Sequence, residues 1–522
     1  MPSHFPLTPL AFLDRAASVF GERTAVVDGE TVLTYAQFSD RARRLASMLA
    51  EQGVEPGDRV AALCVNSHAM LELHYGVPLA GAVLVPINVR LVPEEIRSIL
   101  EHSGSRLLVA SDELFDSASE AAESLGLMVV AAGGASSPYE QAIRDASPGG
   151  RLPLEEGGLL AINYTSGSTG RPKGVMYSHR GAYLQSLAMT AQFALRPAHS
   201  YLWTLPMFHC NGWCFTWAVT AGGATHVCLP RIDPARVWSV LCEQGITHLS
   251  AAPTVLLMIA EAADAAPHLR PGAPVDVSTG GAPPSPALLA RLRQLNMEVT
   301  HLYGLTETYG PCVVNQWQPE WSQLPEEEQS RLNARQGIGN VVTTSVGVVR
   351  PDASPVPADG ETLGEIVIQG NNVMLGYYRD PDASEAALGE GFLRTGDLGV
   401  LYPDGYIELK DRSKDIIITG GENVSSVEVE QILATHPAVL EAAVIGRPHP
   451  RWGETPVAVV VLRPGTEVSE RELIEHVRER AAHFKAPKHI AFAELPKTST
   501  GKIKKHLLRA RVSELFGDVP AE

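Results

Sequence analysis

Short apolar runs alternate with longer segments of helical period from Asp58 to Leu302. Asp58–Val65, apolar after its opening Asp-Arg, and Ala82–Ile87 are short apolar runs that read as buried strands, and His68–Leu79 between them has the length of a helix. Pro93–His102 opens Pro-Glu-Glu, a good first helical turn: proline presets φ, and two carboxylates face the positive end of the helix dipole. Further strands are expected at Leu107–Ala110, Leu127–Ala131, Leu159–Asn163, Tyr201–Leu205, Thr225–Leu229, Thr247–Ser250, Val275–Ser278 and Val299–Leu302. Helices are expected at Glu113–Leu125, Gly181–Gln192, Pro234–Gln244 and Thr254–Ala263. Strands apolar on both faces and joined by helices predict an α/β fold of parallel sheets covered on both sides.

The texture changes near residue 335. Gly364–Gln369, Gly399–Tyr402 and Tyr406–Leu409 read as short strands, with a turn at Pro403-Asp404-Gly405, and suggest a small β subdomain. Past Asp411 the two textures mix. Ser425-Ser426-Val427-Glu428 reads as a capping box opening a helix to about Thr435, and Glu470–Phe484 and Ile503–Phe516 read as amphipathic helices. The expected division is a large N-terminal domain of parallel α/β sheets plus the β subdomain (residues 1–410), a joint at 411–414, and a small α+β C-terminal domain (residues 415–522).

Composition narrows the function. The 522 residues are 45% apolar and 19% charged, which suits several packed cores rather than disorder. A net charge of −17 argues against bulk binding to nucleic acid or an anionic membrane, which needs a dominant basic surface. The charge is uneven: residues 411–522 carry 16 basic and 16 acidic side chains, so the whole excess lies in residues 1–410. Between Lys485 and Arg511, the cations Lys485, Lys488, Lys497, Lys502, Lys504, Lys505, Arg509 and Arg511 face only Glu494, which suggests a polyanionic ligand or a solvated helix face. Six cysteines without a CxxC pair suit a reducing compartment. The longest apolar stretch, Gly76–Ile87, is broken by Pro78 and Gly81 and is too short for a membrane span. Met1–Ala11 lacks a secretory pattern, and the chain ends Pro520-Ala521-Glu522 rather than in a peroxisomal tripeptide; the expected location is the cytoplasm.

Five segments carry candidate chemistry. Tyr164-Thr165-Ser166-Gly167-Ser168-Thr169-Gly170-Arg171-Pro172-Lys173-Gly174 follows a strand; its glycines let backbone N–H groups turn inward around a phosphate, its hydroxyls add donors, and Lys173 adds a charge. It is not a Walker A loop, because Pro172 precedes the lysine and Gly174 stands where Ser or Thr is required. In His301-Leu302-Tyr303-Gly304-Leu305-Thr306-Glu307-Thr308 an aromatic ring can stack a purine and Glu307 can hold Mg²⁺. Asp397, in Thr395-Gly396-Asp397-Leu398-Gly399, can accept both hydroxyls of a ribose. Asp411-Arg412-Ser413-Lys414-Asp415 with Gly420-Gly421-Glu422-Asn423-Val424 forms the fourth segment. Pro496-Lys497-Thr498-Ser499-Thr500-Gly501-Lys502, the fifth, puts a lysine on a glycine-containing loop.

Together, in this order and over essentially the whole chain, these segments resemble the adenylate-forming superfamily: acyl-CoA synthetases, nonribosomal peptide adenylation domains and beetle luciferases. Leu205-Pro206-Met207-Phe208-His209-Cys210-Asn211-Gly212-Trp213 carries a narrower likeness to medium-chain and aromatic acyl-CoA ligases, including plant acyl-activating enzymes, and Gly304–Trp321 does so more loosely. The resemblance implies an acyl-CoA synthetase-like fold with a mobile C-terminal domain, ATP and CoA as co-substrates, Mg²⁺, and a setting in fatty acid metabolism. It implies that a carboxylate attacks ATP to give acyl-AMP and pyrophosphate, and that a CoA thiol then displaces AMP. By the same likeness Lys502 is the catalytic lysine. Thr165, Ser166, Gly167, Ser168, Thr169, Gly170 and Lys173 hold phosphates, with Gly304 and Thr306 beside them. Gly281, Ala282, Pro283 and Tyr303 form the adenine pocket, Asp397 and Arg412 bind ribose, Lys414 is the hinge, and the Gly420-Gly421 edge lines a pantetheine tunnel.

His209, Cys210 and Cys214 are competent zinc ligands, but no fourth ligand has fitting spacing. The resemblance instead puts His209 at the mouth of an acyl tunnel that Trp213 walls, which favours short or flat acyl groups; core packing is the plainer reading of both. The motifs describe adenylation, so a carrier-protein thiol, another nucleophile or a different oxyanion such as nitrite is a competing partner for the activated group. A non-catalytic nucleotide-binding protein is the reading from another class, and intact Lys502, Lys173 and Glu307 oppose it. A homodimer is compatible with all of these.

Overall fold

The computed structural model describes residues 5–149, 154–165, 172–281, 284, 286–412, 415–419, 422–498 and 503–517. The α/β alternation folds into two large sheets. In the first, strands lie in the order Met128–Ala132, Ser105–Ser111, Arg59–Leu63, Val83–Pro86, Leu159–Thr165 and Lys173–Ser178; all run parallel except the last, which turns back antiparallel. The second has a parallel interior of Thr24–Asp28, Thr225–Cys228, Ser200–Trp203, His248–Ala251, Val275–Thr279 and Met297–Leu305. Antiparallel strands close its edges: Thr31–Thr34 on one side, Gly310–Val314 and Ile338–Gly339 on the other.

The His68–Leu79 helix has the expected bounds and is buried at all 12 of its positions, as a helix apolar on nearly every face must be. Its charged residues are therefore paired. Glu72 takes Arg41 at 2.5 Å and the Tyr139 hydroxyl at 2.7 Å. His68 lies between Asp28 (2.7 Å) and Glu140 (3.0 Å). Burial alone would lower the His68 pKa, but its bonds to Asp28 and Glu140 lift it to about 10.

The β subdomain is a four-stranded antiparallel sheet of Ser345–Val349, Gly364–Gln369, Leu393–Leu401 and Ile407–Arg412. Beyond it, a five-stranded mixed sheet centres on the hairpin Val439–His449/Gly453–Leu462. Ser425 caps the Ser426–Ala434 helix as expected, accepting from the Glu428 N–H, while the Glu428 carboxylate goes to Lys485. The two last helices are shorter than the apolar pattern suggests: one spans Glu470–Arg478, and the other divides at Arg511 into Lys505–Ala510 and Val512–Phe516. Among the described residues no helix is long and apolar enough to cross a membrane.

Candidate active site

The Leu159–Thr165/Lys173–Ser178 hairpin ends on the ladder pair Thr165–Lys173, so both residues stand at the C-terminal end of a parallel strand, where open α/β sheets bind ligands. Ser166, Gly167, Ser168, Thr169 and Gly170 of the expected cradle lie outside the described residues. The Lys173 ammonium sits 4.7 Å from the centre of the Tyr377 ring. The Tyr377 hydroxyl donates to Glu307 Oε1 at 2.7 Å. Burial, and then the Glu307 charge, push the Tyr377 pKa above the ordinary phenol range, so it remains a donor. Tyr377 thus touches the cation with its ring face and the carboxylate with its hydroxyl, and is a candidate site residue that motif spacing missed. Glu307 rides a short turn, Thr306–Thr308, tied down by Tyr177 donating to the Thr306 carbonyl (2.6 Å) and Met374 N–H donating to the Glu307 carbonyl (2.8 Å).

Asp397 and Arg412 are direct cross-strand partners in the β subdomain, with Arg412 Nε 3.4 Å from Asp397 Oδ1. The Tyr303 hydroxyl donates to Asp397 Oδ2 at 2.8 Å. Three expected nucleotide residues from three strands therefore converge on one buried carboxylate. A Cβ at Gly304 would collide with the Gly310 carbonyl oxygen, so only glycine lets the strand of Tyr303 pair this closely with Gly310–Val314. Gly281 sits at φ +85°; Ala282 and Pro283 lie outside the described residues.

The acid side is built differently. Cys210, Asn211, Gly212, Trp213 and Cys214 all have left-handed φ, from +45° to +61°. Left-handed helical turns cost L-residues roughly 1–2 kcal/mol each. The turn is held by Gly212 N–H to the His209 carbonyl (2.8 Å), Cys214 N–H to the Asn211 carbonyl (3.2 Å), and the Thr216 hydroxyl to that same carbonyl (3.0 Å). The Trp213 indole packs between two glycines: an added Cβ would lie 3.2 Å from it at Gly280 and 3.1 Å at Gly310. Cys210 Sγ lies 3.4 Å from Thr306 Oγ1 and 3.8 Å from His209 Nε2, so the turn abuts the loop of Glu307. Burial pushes the Cys210 thiol up to about 12; it stays protonated and is a poor metal ligand.

In the C-terminal part, Lys502, Lys414, Gly420 and Gly421 lie outside the described residues. The basic cluster reads differently once folded. Lys485 pairs with Glu428 (2.7 Å), Lys497 with Glu441 (2.6 Å), Lys505 with Glu430 (2.7 Å), Arg509 with Asp415 (2.6 Å) and Arg511 with Glu514 (2.8 Å). Most of these partners come from distant segments, so the local charge count overstated the free cations. Asp411 anchors the joint, accepting the N–H and hydroxyl of Ser426, both at 2.6 Å.

The model of the AMP-binding enzyme family matches residues 13–378, and that of the AMP-binding enzyme C-terminal domain matches residues 428–502. The chain belongs to the AMP-binding enzyme family. This AMP-binding enzyme is 42% identical to an acetate–CoA ligase of Humulus lupulus, over 98% of this chain and 95% of that one. It is 41% identical to a peroxisomal benzoate–CoA ligase of Arabidopsis thaliana, over 97% and 93%. Among solved structures, ATP-bound MatB from Rhodopseudomonas palustris superposes with a TM-score of 0.87 at 27% identity, covering 98% of this AMP-binding enzyme and 100% of MatB. The acyl-CoA synthetase-like fold is thus that of its relatives.

Proposed function

We propose that this acid–CoA ligase acts on a short or flat carboxylic acid. The reaction is the ATP-dependent activation of an acid and its transfer to CoA. A carboxylate oxygen bonds to the α-phosphorus, the bond to the β-phosphate breaks and pyrophosphate leaves; the CoA sulfur then bonds to the acyl carbon and AMP departs with the electron pair of the broken C–O bond. The first step brings an anion up to a tetra-anion, so fixed cations and donors carry the catalysis.

The residues sort by that task. Thr165 and Lys173 meet the phosphates, with Tyr377 bridging the ammonium and Glu307. Asp397, oriented by Tyr303 and Arg412, accepts the ribose hydroxyls with its remaining lone pairs. Lys502 is assigned to both the carboxylate and the α-phosphate, on a domain that turns about Lys414 and then presents the Gly420-Gly421 edge to pantetheine. Glu307 fits Mg²⁺, because a single carboxylate beside a phosphate site suits an ion that keeps several waters and phosphate oxygens as its other ligands. Bound there, Mg²⁺ would neutralise phosphate charge.

The observation that carries the acid class is the Trp213 indole, buried and packed between Gly280 and Gly310, four residues after His209. A bulky, immobile wall leaves room for a small or planar group. Six free cysteines fit a reducing compartment, such as the cytoplasm. The test is pyrophosphate release across a panel from acetate to decanoate plus benzoate, first without and then with CoA. Acid-dependent release, and thioester and AMP only with CoA, are expected for the short or aromatic members. Acid-dependent release with no thioester would point to another acceptor.

A further inference from the structure

The left-handed turn meets the nucleotide side through one side chain. Asn163 lies on the Leu159–Thr165 strand, two residues before Thr165, and is 2% exposed. Its Oδ1 accepts the Asn211 backbone N–H at 3.1 Å, and its Nδ2 donates to Asn211 Oδ1 at 2.5 Å. Asn211 is fully buried at the second position of the turn, at φ +45°. Asn163 is itself in the ladder, opposite Val175, and its strand is also paired on the other side through Ala161 and Leu84. Its backbone is therefore fixed whatever its side chain does. The turn has no ladder; besides the Asn163 pair, its internal bonds and the Thr216 hydroxyl, it is tied at its two ends only, by Cys210 Sγ near Thr306 Oγ1 (3.4 Å), by the Cys214 carbonyl accepting the Ala218 N–H (2.9 Å) and the Ser186 hydroxyl (3.5 Å), and by the Cys214 thiol donating to the Tyr309 carbonyl (3.5 Å).

We infer that the Asn163 carboxamide is a positioning clamp that holds Cys210–Cys214 left-handed and so fixes where His209 and Trp213 stand against the nucleotide loops. This rests on the reading above that those two side chains border the acid. The asymmetry gives the clamp a signature. Removing it leaves the ladder-held strand, and with it Thr165 and Lys173, in place, while the turn, still tied at Cys210 and Cys214, loses its hold at Asn211 and relaxes in its middle. Acid binding and acid discrimination suffer, and ATP binding does not.

The experiment compares wild type, Asn163→Leu and Asn163→Asp. Leucine keeps the volume and loses both bonds. Aspartate still accepts the Asn211 N–H and can pair with Asn211 by flip of that carboxamide or through its own proton. Acid-dependent ATP–pyrophosphate exchange gives the two KM values, and hydrogen exchange followed by mass spectrometry reads peptides covering 207–217 and 159–165. Expected for Asn163→Leu is a rise of about tenfold in acid KM, an ATP KM changed by about twofold or less, a broader acid panel, and faster hydrogen exchange in 207–217 but not 159–165. Asn163→Asp should stay nearer wild type in every readout. A role in packing alone predicts the reverse ranking, with leucine tolerated, and would overturn the inference. So would acid and ATP KM moving together, or unchanged protection of 207–217 in Asn163→Leu. Should the wild type show no exchange with any acid, the ligase reading falls, and the 207–217 protection alone decides the clamp.

Discussion

The two halves of the site are held by different forces. On the nucleotide side, Thr165, Lys173, Tyr303, Asp397 and Arg412 all stand on strands whose backbone bonds survive any change of side chain. On the acid side, His209 and Trp213 flank or occupy a left-handed turn with four non-glycine residues at positive φ, kept there by side chains and close packing. The half proposed to meet ATP is thus rigid by construction. The half proposed to match the acid rests on local contacts that single substitutions can retune.

That contrast sets the order of expected effects. The largest falls on the proposed catalytic lysine: Lys502→Ala should lower acyl-AMP formation by about 10²–10³-fold while largely sparing thioester formation from supplied acyl-AMP. Collapse of both half-reactions in a folded variant would remove the domain-swing assignment. Next, Asp397→Ala should raise the ATP KM by about tenfold or more, because hydrogen bonds to a charged group are lost, and leave the acid KM near wild type. If both constants rise, the two halves are not separable. Trp213→Ala should do the opposite: near-normal ATP KM, and a preference shifted toward longer acids by about tenfold in relative kcat/KM. The smallest effect concerns stability rather than the site. His68, with its pKa raised to about 10, contributes stability fully present below its unfolded pKa of about 6.5 and lost as pH rises through about 10. His68→Gln should flatten that part of the Tm–pH profile by about 2–4 °C, with both KM values unmoved.

The contrast also explains what could be read from the chain. Elements set by local pattern were legible: the His68–Leu79 helix matches its expected bounds, and the strand before the phosphate loop starts at Leu159 as expected. The pairing of Asp397 with Arg412 across neighbouring strands was named through the family likeness rather than from local pattern. Features set by distant partners were not legible. The Cys210–Cys214 turn has no periodicity, and of its residues only Asn211 and Gly212 hint at positive φ. Asn163 looks like an ordinary polar residue ending an apolar run, because its partner lies 48 positions away. Tyr377 owes its role to a carboxylate 70 positions earlier. The Val439–His449/Gly453–Leu462 hairpin blurred into mixed texture because it is apolar on both faces. The C-terminal cations looked free only because their carboxylates, such as Glu428, Glu430 and Glu441, stand far from them in sequence.

Those ion pairs bear on the energetics of the domain swing. Residues 411–522 are electrically neutral as a whole while the rest of the chain carries the full −17. In the swing proposed above, a lobe with no monopole would do little long-range work against an acidic body, and at physiological ionic strength what remains is screened within about 8 Å. The balance between the two proposed half-reactions is therefore expected to be nearly indifferent to added salt.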